Sequence, residues 1–161
     1  MMVRADDLRD FRPQVRYENA EGLNLGTLQH AIRLYAEKLA IPVAFRDDQV
    51  KSGGIFSPTI DDCVVMYHPD HENDYFKFCF RIRTQGIYTF VIVNDFGQSK
   101  QLRKQDAIEF GRQDREGKEL SYQIGSYAAQ IFFSLGKNKQ KLEDELRYYQ
   151  VVTQIIDEII S

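Results

Sequence analysis

The densest group of side chains that could bind a metal lies between His68 and Asp74, in the sequence HPDHEND. It contains two imidazoles and three carboxylates, which are ligand types that suit Zn²⁺, Mn²⁺ or iron. The spacing matches neither the HExxH zinc motif nor a calcium-binding loop. Proline, asparagine and aspartate are also common turn formers, so an ordinary polar turn explains the same composition. We therefore favour a turn and keep a divalent-metal site of His68, Asp70 and His71 as the alternative.

Three basic side chains, Lys77, Arg81 and Arg83, share one face of the predicted strand that follows this turn. A basic β-ribbon can contact the phosphates of a nucleic acid, and the same charges would suit an acidic protein partner. The net charge of −3 and the pI of about 5.6 argue against a dedicated nucleic-acid-binding protein. We interpret these residues as the rim of a sheet face that a helix partly covers. Nucleic-acid binding through them is the second alternative.

Catalytic motifs are missing from the sequence. It contains no G-x-S-x-G nucleophile motif. Its two cysteines, Cys63 and Cys79, lie in apolar, strand-like runs, which is typical of buried free thiols. His30 lies between apolar positions of a predicted helix, where a surface or boundary role is the simplest interpretation. We therefore predict no catalytic residue and no cofactor, and we favour a protein that is not an enzyme.

The segment from Tyr75 to Gly97 predicts a β-hairpin, and this hairpin positions the basic residues. Apolar and polar residues alternate along its first half, which indicates a strand with one apolar face. We expect that face to be buried beneath a helical layer. It carries Phe76, Phe78, Phe80 and Ile82.

The turn of this hairpin is predicted to be a three-residue loop at 84–86, TQG, because a final glycine suits a type I turn with a bulge. This loop pairs Arg83 with Ile87 and places Phe80 opposite Phe90. One face of the ribbon is then wholly apolar and aromatic. A two-residue loop would mix apolar and basic partners, so we prefer the three-residue loop.

A helix and short strands are predicted before the hairpin. Apolar residues recur every three or four positions over 24–40, with Asn24 as the N-cap. A short strand is predicted at 42–46, followed by a loop at 47–58 and a second short strand at 63–67.

The last third of the chain is predicted to be helical from residue 104. The segments 119–135 and 142–160 each carry an apolar stripe and are expected to form an αα-hairpin. The stripe of the last helix widens towards its end. Core packing explains this width, and pairing with a second copy across a two-fold axis is the alternative. A homodimer through the C-terminal helices is therefore a prediction.

A block of strands followed by a block of helices is typical of α+β proteins. The sequence predicts an antiparallel sheet of three to five strands with helices packed on one face and the αα-hairpin at the C-terminus. The 161 residues suit a single domain, 1–161. We expect it to consist of an N-terminal arm at 1–20, the helix at 24–40, the sheet at 42–102 and a helical layer at 104–160.

The composition, 43% hydrophobic and 28% charged, is that of an ordinary globular protein. The first residues contain no apolar signal region, and no run approaches the roughly 18 apolar residues of a membrane span. We expect a cytoplasmic protein without membrane contact. Its predicted function is that of a non-catalytic binding or protein-interaction module with a protein partner, and nucleic acid is not the expected ligand.

Overall fold

The computed structural model describes residues 2–97 and 139–161. The described residues of one compact unit are 2–97 and 153–161, and those of a second are 139–152. The helices and strands are β1 (Met2–Arg4), a short 3₁₀ helix (Ala5–Asp7), β2 (Val15–Glu18), α1 (Leu25–Lys38), β3 (Ala44–Ser52), β4 (Thr59–Tyr67), β5 (Lys77–Gln85), β6 (Tyr88–Phe96) and α2 (Lys139–Ile160).

The described strands form one six-stranded sheet in the order β1-β3-β4-β5-β6-β2. The pair β1 and β3 is parallel, and the other pairs are antiparallel. The predicted α+β class is confirmed. The predicted sheet of three to five antiparallel strands is wrong, because the sheet is mixed and larger. The extra strands come from the segment 1–20, which supplies both edges of the sheet.

The residues between β1 and β2 are held in place by a buried ion pair. The backbones of Arg9 and Asp95 exchange hydrogen bonds of 2.8 and 3.1 Å. The guanidinium of Arg9 also donates two hydrogen bonds of 2.9 Å to the carboxylate of Asp95, which is fully buried. A bidentate pair of this kind fixes geometry as well as charge. It anchors the segment beside β6, far from β1 in the sheet.

Both faces of the sheet are buried at its centre. Phe78 and Phe80 are each 1% exposed, which confirms the predicted apolar face of β5. The opposite face holds a second cluster, with Cys63 and Cys79 as buried free thiols, as predicted. Ala5, from the 3₁₀ helix, packs against this cluster together with other partly buried residues. The prediction that a helix partly covers this face stays a prediction, because most of the predicted helical layer lies outside the described residues.

The hairpin of β5 and β6 has a different register from the predicted one. A two-residue turn joins the strands, so that Arg83 pairs with Phe90 and not with Ile87. Gly86 has φ of +61°, whereas Ile87 has no positive φ, a pattern that fits a type II′ turn with glycine first. The shift places Val93 opposite Phe80. The buried face therefore combines phenylalanine with smaller β-branched residues, and Phe90 lies on the basic face.

Strand β3 extends through the first half of the segment predicted to be a loop. All nine of its residues, Ala44 to Ser52, pair with β4. Asp48 is 8% exposed and interrupts the apolar pattern that would reveal a strand. Its carboxylate accepts hydrogen bonds from Arg46 (3.3 Å) and from the backbone of Gln49 (2.8 Å). Buried charge is tolerated here because it is paired.

The start of α1 follows the prediction. The backbone of Thr27 donates to Asn24 Oδ1, and the backbone of Asn24 donates to Thr27 Oγ1, each at 3.0 Å. This reciprocal capping box satisfies two amides that a helix start would otherwise leave unpaired. The helix buries Leu28, Ile32 and Ala36 and contacts β4 and β5.

The described C-terminal residues form a single helix, α2, which covers the predicted segment 142–160. The other predicted arm of the αα-hairpin, 119–135, lies outside the described residues. Near its end, α2 accepts a hydrogen bond from the hydroxyl of Tyr17 at the carbonyl of Ile160. Arg12 also forms a 3.0 Å ion pair with Asp157. Among the helices of the described residues, none combines the length and the apolar character needed to cross a membrane.

Candidate binding groove between two hairpins

The sheet opens along one line, between β4 and β5. The hairpin of β3 and β4 and the hairpin of β5 and β6 are each paired over nine residue pairs. By contrast, β4 and β5 pair only where Val64, Val65 and Met66 meet Phe80, Cys79 and Phe78. Beyond these pairs the two hairpins separate. We call the paired part the closed end, and residues 59–63 of β4 with 81–85 of β5 the open end.

Among residues 2–97 and 139–161, the strand edges at the open end have no strand paired with them across the gap. The β4–β5 ladder does not extend to the segments 59–63 and 81–85, and the sheet contains no further described strand between β4 and β5. A strand edge with free N–H and C=O groups is a ready template for pairing with another chain. The open end therefore offers two such edges that face one another.

A groove of about 700 Å³ occupies this gap. Its size lies within the range of known ligand sites. Its lining combines aliphatic, polar and charged side chains from three parts of the fold: the start of α1, the first half of β4 and the second half of β5. The residues are Leu23, Asn24, Leu25, Gly26, Ile60, Asp61, Asp62, Arg81, Ile82, Arg83 and Thr84.

An ion pair between Arg83 and Asp61 bridges the gap. The side chain of Arg83 is 55% exposed and that of Asp61 is 28% exposed. Exposed pairs of this kind contribute only about 0–1 kcal/mol, because water screens them. A ligand carboxylate can therefore replace Asp61 as the partner of Arg83 at little cost.

Arg81 lines the same groove and is only partly satisfied. Its Nη2 donates a 2.8 Å hydrogen bond to Asn94 Oδ1. Its Nε is buried and has no hydrogen-bond partner among the described residues. A buried donor without an acceptor costs about 1–3 kcal/mol, and Arg81 adds a positive charge to the wall of the groove.

The three residues predicted to bind a ligand do not form one surface. Arg81 and Arg83 lie in the groove, whereas Lys77 lies at the closed end, with Nζ 5.8 Å from the ring centre of Phe96. Burial, and then the nearby charge of Arg46, lower the pKa of Lys77, although Glu72 opposes them. The structure thus brings two of the three together and separates the third.

The predicted metal ligands lie in the connection between β4 and β5. The rings of His68 and His71 are 4.8 Å apart, and His71 stacks on Tyr75 at 3.9 Å. The backbone N–H of Asp70 donates to His68 Nδ1 at 3.0 Å, and His71 Nδ1 lies 3.2 Å from a carboxylate oxygen of Asp74. These contacts account for the composition of the turn. Across residues 2–97 and 139–161, no three His, Cys, Asp or Glu side chains converge on a point where they could hold a metal ion.

The thiols are not placed for nucleophilic chemistry. A hydrogen bond with Cys63, together with burial, raises the pKa of the Cys79 thiol. That thiol therefore stays protonated at neutral pH. The same hydrogen bond lowers the pKa of Cys63, which burial opposes. Both side chains lie inside the second core cluster, away from solvent.

The sequence did not indicate that four aliphatic residues of the groove would line one site. These are Leu23, Leu25, Ile60 and Ile82. The groove exists because two strands separate, and strand separation leaves no periodic pattern in a sequence. One signal was available. The adjacent acids Asp61 and Asp62 interrupt the apolar run of β4 where it leaves β5.

No protein-family model, no curated protein and no solved structure matches this chain. The chemistry of the groove is therefore the basis for assigning a function.

Proposed function

We propose that this chain is a non-catalytic binding protein and that it holds a segment of a partner protein in the groove between its two hairpins. The observation that carries the proposal is the separation of β4 from β5, which leaves a lined groove and, within the described residues, unpaired strand edges in an otherwise well-paired sheet. Without a function for this gap, we would expect β4 and β5 to pair along their whole length, because unpaired strand edges favour unwanted association.

The lining of the groove suits a peptide better than a small polar metabolite. Aliphatic side chains from Leu25, Ile60 and Ile82 flank the charged residues. Each aliphatic group that a ligand fully covers contributes up to about 1.5–3 kcal/mol. The charged groups then fix the orientation and the specificity of the bound segment. Alternating apolar and charged contacts are the pattern that an extended peptide presents.

A test uses two matched substitutions. Ile60 and Ile87 are about equally exposed, at 52% and 54%, but only Ile60 lines the groove. Random peptides displayed on phage are selected on the wild-type chain, and the affinities of the selected peptides are measured by calorimetry. We expect Ile60→Glu to weaken binding by about tenfold or more, since a tenfold change requires only 1.4 kcal/mol. Ile87→Glu should leave the affinity within about twofold.

If both variants bind the peptides as tightly as the wild-type chain does, the peptides bind outside the groove. That result would contradict the proposal. Selection that yields no binding peptide also counts against it. Both isoleucines are exposed, so neither variant is expected to disturb folding.

The homodimer through the C-terminal helices stays a prediction. Tyr149, Val152 and Ile156 belong to the apolar stripe of α2 and are buried within a single chain. A dimer through the described part of this helix would have to use its other residues. Size-exclusion chromatography with light scattering measures the mass directly.

A further inference from the structure

We propose that the groove binds its ligand as an added β-strand on the free edge of β5, and that the ligand carries an aspartate or glutamate that pairs with Arg83. The inference deepens the proposed function and depends on it. The ligand class is an extended segment of a partner protein with one acidic residue between two apolar residues.

The backbone of β5 provides the first argument. Residues 81–85 pair with β6 on one side, and no strand of the described part of the chain pairs with them on the other. Five residues of strand span about 17 Å, which is enough to pair with a short extended segment. Addition of a strand to a free edge is a recurrent mode of peptide recognition. In that mode the main chain supplies affinity and the side chains supply specificity.

The register of the sheet provides the second argument. Val64 pairs with Phe80 in β4 and β5. Continued pairing would place Asp61 directly opposite Arg83. The β-ladder between the two strands has ended at this point, and the side chains of Arg83 and Asp61 still meet as an ion pair. A ligand strand beside β5 would occupy the position that β4 has left. Its acidic residue would then make the cross-strand pair that Asp61 makes now.

The distribution of charge provides the third argument. Arg81 and Arg83 lie on the same face of β5, and Asp61 and Asp62 lie on the far wall of the groove. One ligand carboxylate near Arg83 is attracted, whereas a run of acids would be repelled by the far wall. The residues on either side of the carboxylate point to the opposite face. They would meet Ile82 and Leu25, so the ligand should be apolar there.

The start of α1 is not the anion site. The capping box between Asn24 and Thr27 already occupies the amide of Thr27. An acidic ligand therefore finds its strongest partner in the arginines and not in the helix terminus.

The test uses the full chain and four synthetic peptides based on GSTVEVTSG. Three of them differ only at the central residue, which is Glu, Gln or Lys. The fourth keeps Glu but carries N-methyl groups on both valines, which removes backbone donors. Affinities are measured by calorimetry and by NMR titration. We expect the Glu peptide to bind about tenfold more tightly than the Gln peptide, and the Lys and N-methyl peptides to bind more weakly still.

Variants of the chain test the roles of the charges. Arg83→Gln should abolish the preference for Glu over Gln. Asp61→Asn removes the competing carboxylate and should strengthen binding of the Glu peptide several-fold while leaving the Gln peptide unchanged. Arg147→Gln is the matched control, because Arg147 is similarly exposed (61%) and also paired with carboxylates, but lies on α2. Its affinities should equal those of the wild-type chain.

Hydrogen exchange supplies a readout that does not depend on charge. The amides of residues 81–85 that face the gap should exchange more slowly when the Glu peptide is bound. Equal binding of the Glu and Gln peptides, or binding without added protection at 81–85, would overturn strand addition. The absence of binding by all four peptides overturns it as well.

The two proposals fail in different ways. Phage-selected peptides that lose affinity with Ile60→Glu, but show neither the acidic preference nor amide protection, would support the groove and exclude strand addition. If the selected peptides bind the Ile60→Glu variant with unchanged affinity, the proposed function itself is wrong.

Discussion

The two ends of the contact between β4 and β5 are built from the same pair of strands and differ in almost every physical property. At the closed end, Val65 and Cys79 are fully buried and the backbones are paired. At the open end, Arg83 and Thr84 are exposed, and no described strand pairs with the two edges across the gap. The difference teaches that burial on both faces keeps these strands together. At the open end the strands are no longer buried on both faces. They carry charged side chains there, and they separate.

The largest expected effect comes from the closed end. Phe80→Ala removes a side chain that is 1% exposed. Loss of a buried aromatic side chain lowers the free energy of unfolding by about 3–5 kcal/mol. Thr84→Ala, on the same strand at the open end, should change stability by less than about 0.5 kcal/mol. Urea denaturation of the two variants measures the contrast. Similar losses for both would show that the open end is as constrained as the closed end.

A smaller loss is expected for the ion pair that holds the N-terminal segment against β6. Arg9→Ala removes the bidentate charged partner of the fully buried Asp95 carboxylate, which costs about 3 kcal/mol. Arg4→Ala is the control, because the Arg4 side chain is 75% exposed and its ion pair with Asp6 spans 4.0 Å. Thermal unfolding of the two variants is the measurement. A loss below about 1 kcal/mol for Arg9→Ala would contradict the anchoring role.

The smallest effect concerns pH at the turn that closes the paired end. Burial, and then the charge of His71, lower the pKa of His68 below its usual 6.5. The folded state therefore binds fewer protons than the unfolded state, and stability falls as the pH drops below about 6.5. We expect this residue to contribute a small loss of stability between pH 7 and 5. The loss should be absent in His68→Gln, when unfolding is followed at both pH values. An unchanged pH dependence in that variant would refute the assignment.

The sequence predicted the parts of the fold that depend on neighbours in the chain. Asn24 was identified as a helix cap, and the buried face of β5 was identified from the alternation of Phe78 and Phe80. In both cases the deciding interactions lie within a few residues of each other. These predictions needed no knowledge of the rest of the molecule.

The parts that could not be predicted depend on distant partners. The edge strands β1 and β2 are too short to show a pattern, and Arg9 finds Asp95 across 86 positions. The charged residue Asp48 made β3 look like a loop in the sequence, because its charge is paired only once the sheet has formed. The predicted register of the hairpin is wrong because it requires one wholly apolar face, whereas the sheet places Phe90 opposite Arg83 on the basic face and Val93 opposite Phe80.

The candidate site was predicted in part. Arg81 and Arg83 were selected because basic residues on one strand face suggest a ligand, and both line the groove. Lys77 has the same pattern but lies at the closed end. Only the separation of the strands distinguishes them, and that separation is a property of the sheet as a whole.

The origin of the two edge strands has a consequence for how the chain folds. Both edges come from residues 2–18, but their partners, β3 and β6, follow much later in the sequence. Hairpins form within microseconds because their contacts are local, whereas contacts between distant segments must overcome a larger loss of chain entropy. We therefore expect β3 to β6 to assemble first. The outer edges of β3 and β6 then stay unpaired until β1 and β2 pair with them. During that interval the chain is most exposed to aggregation.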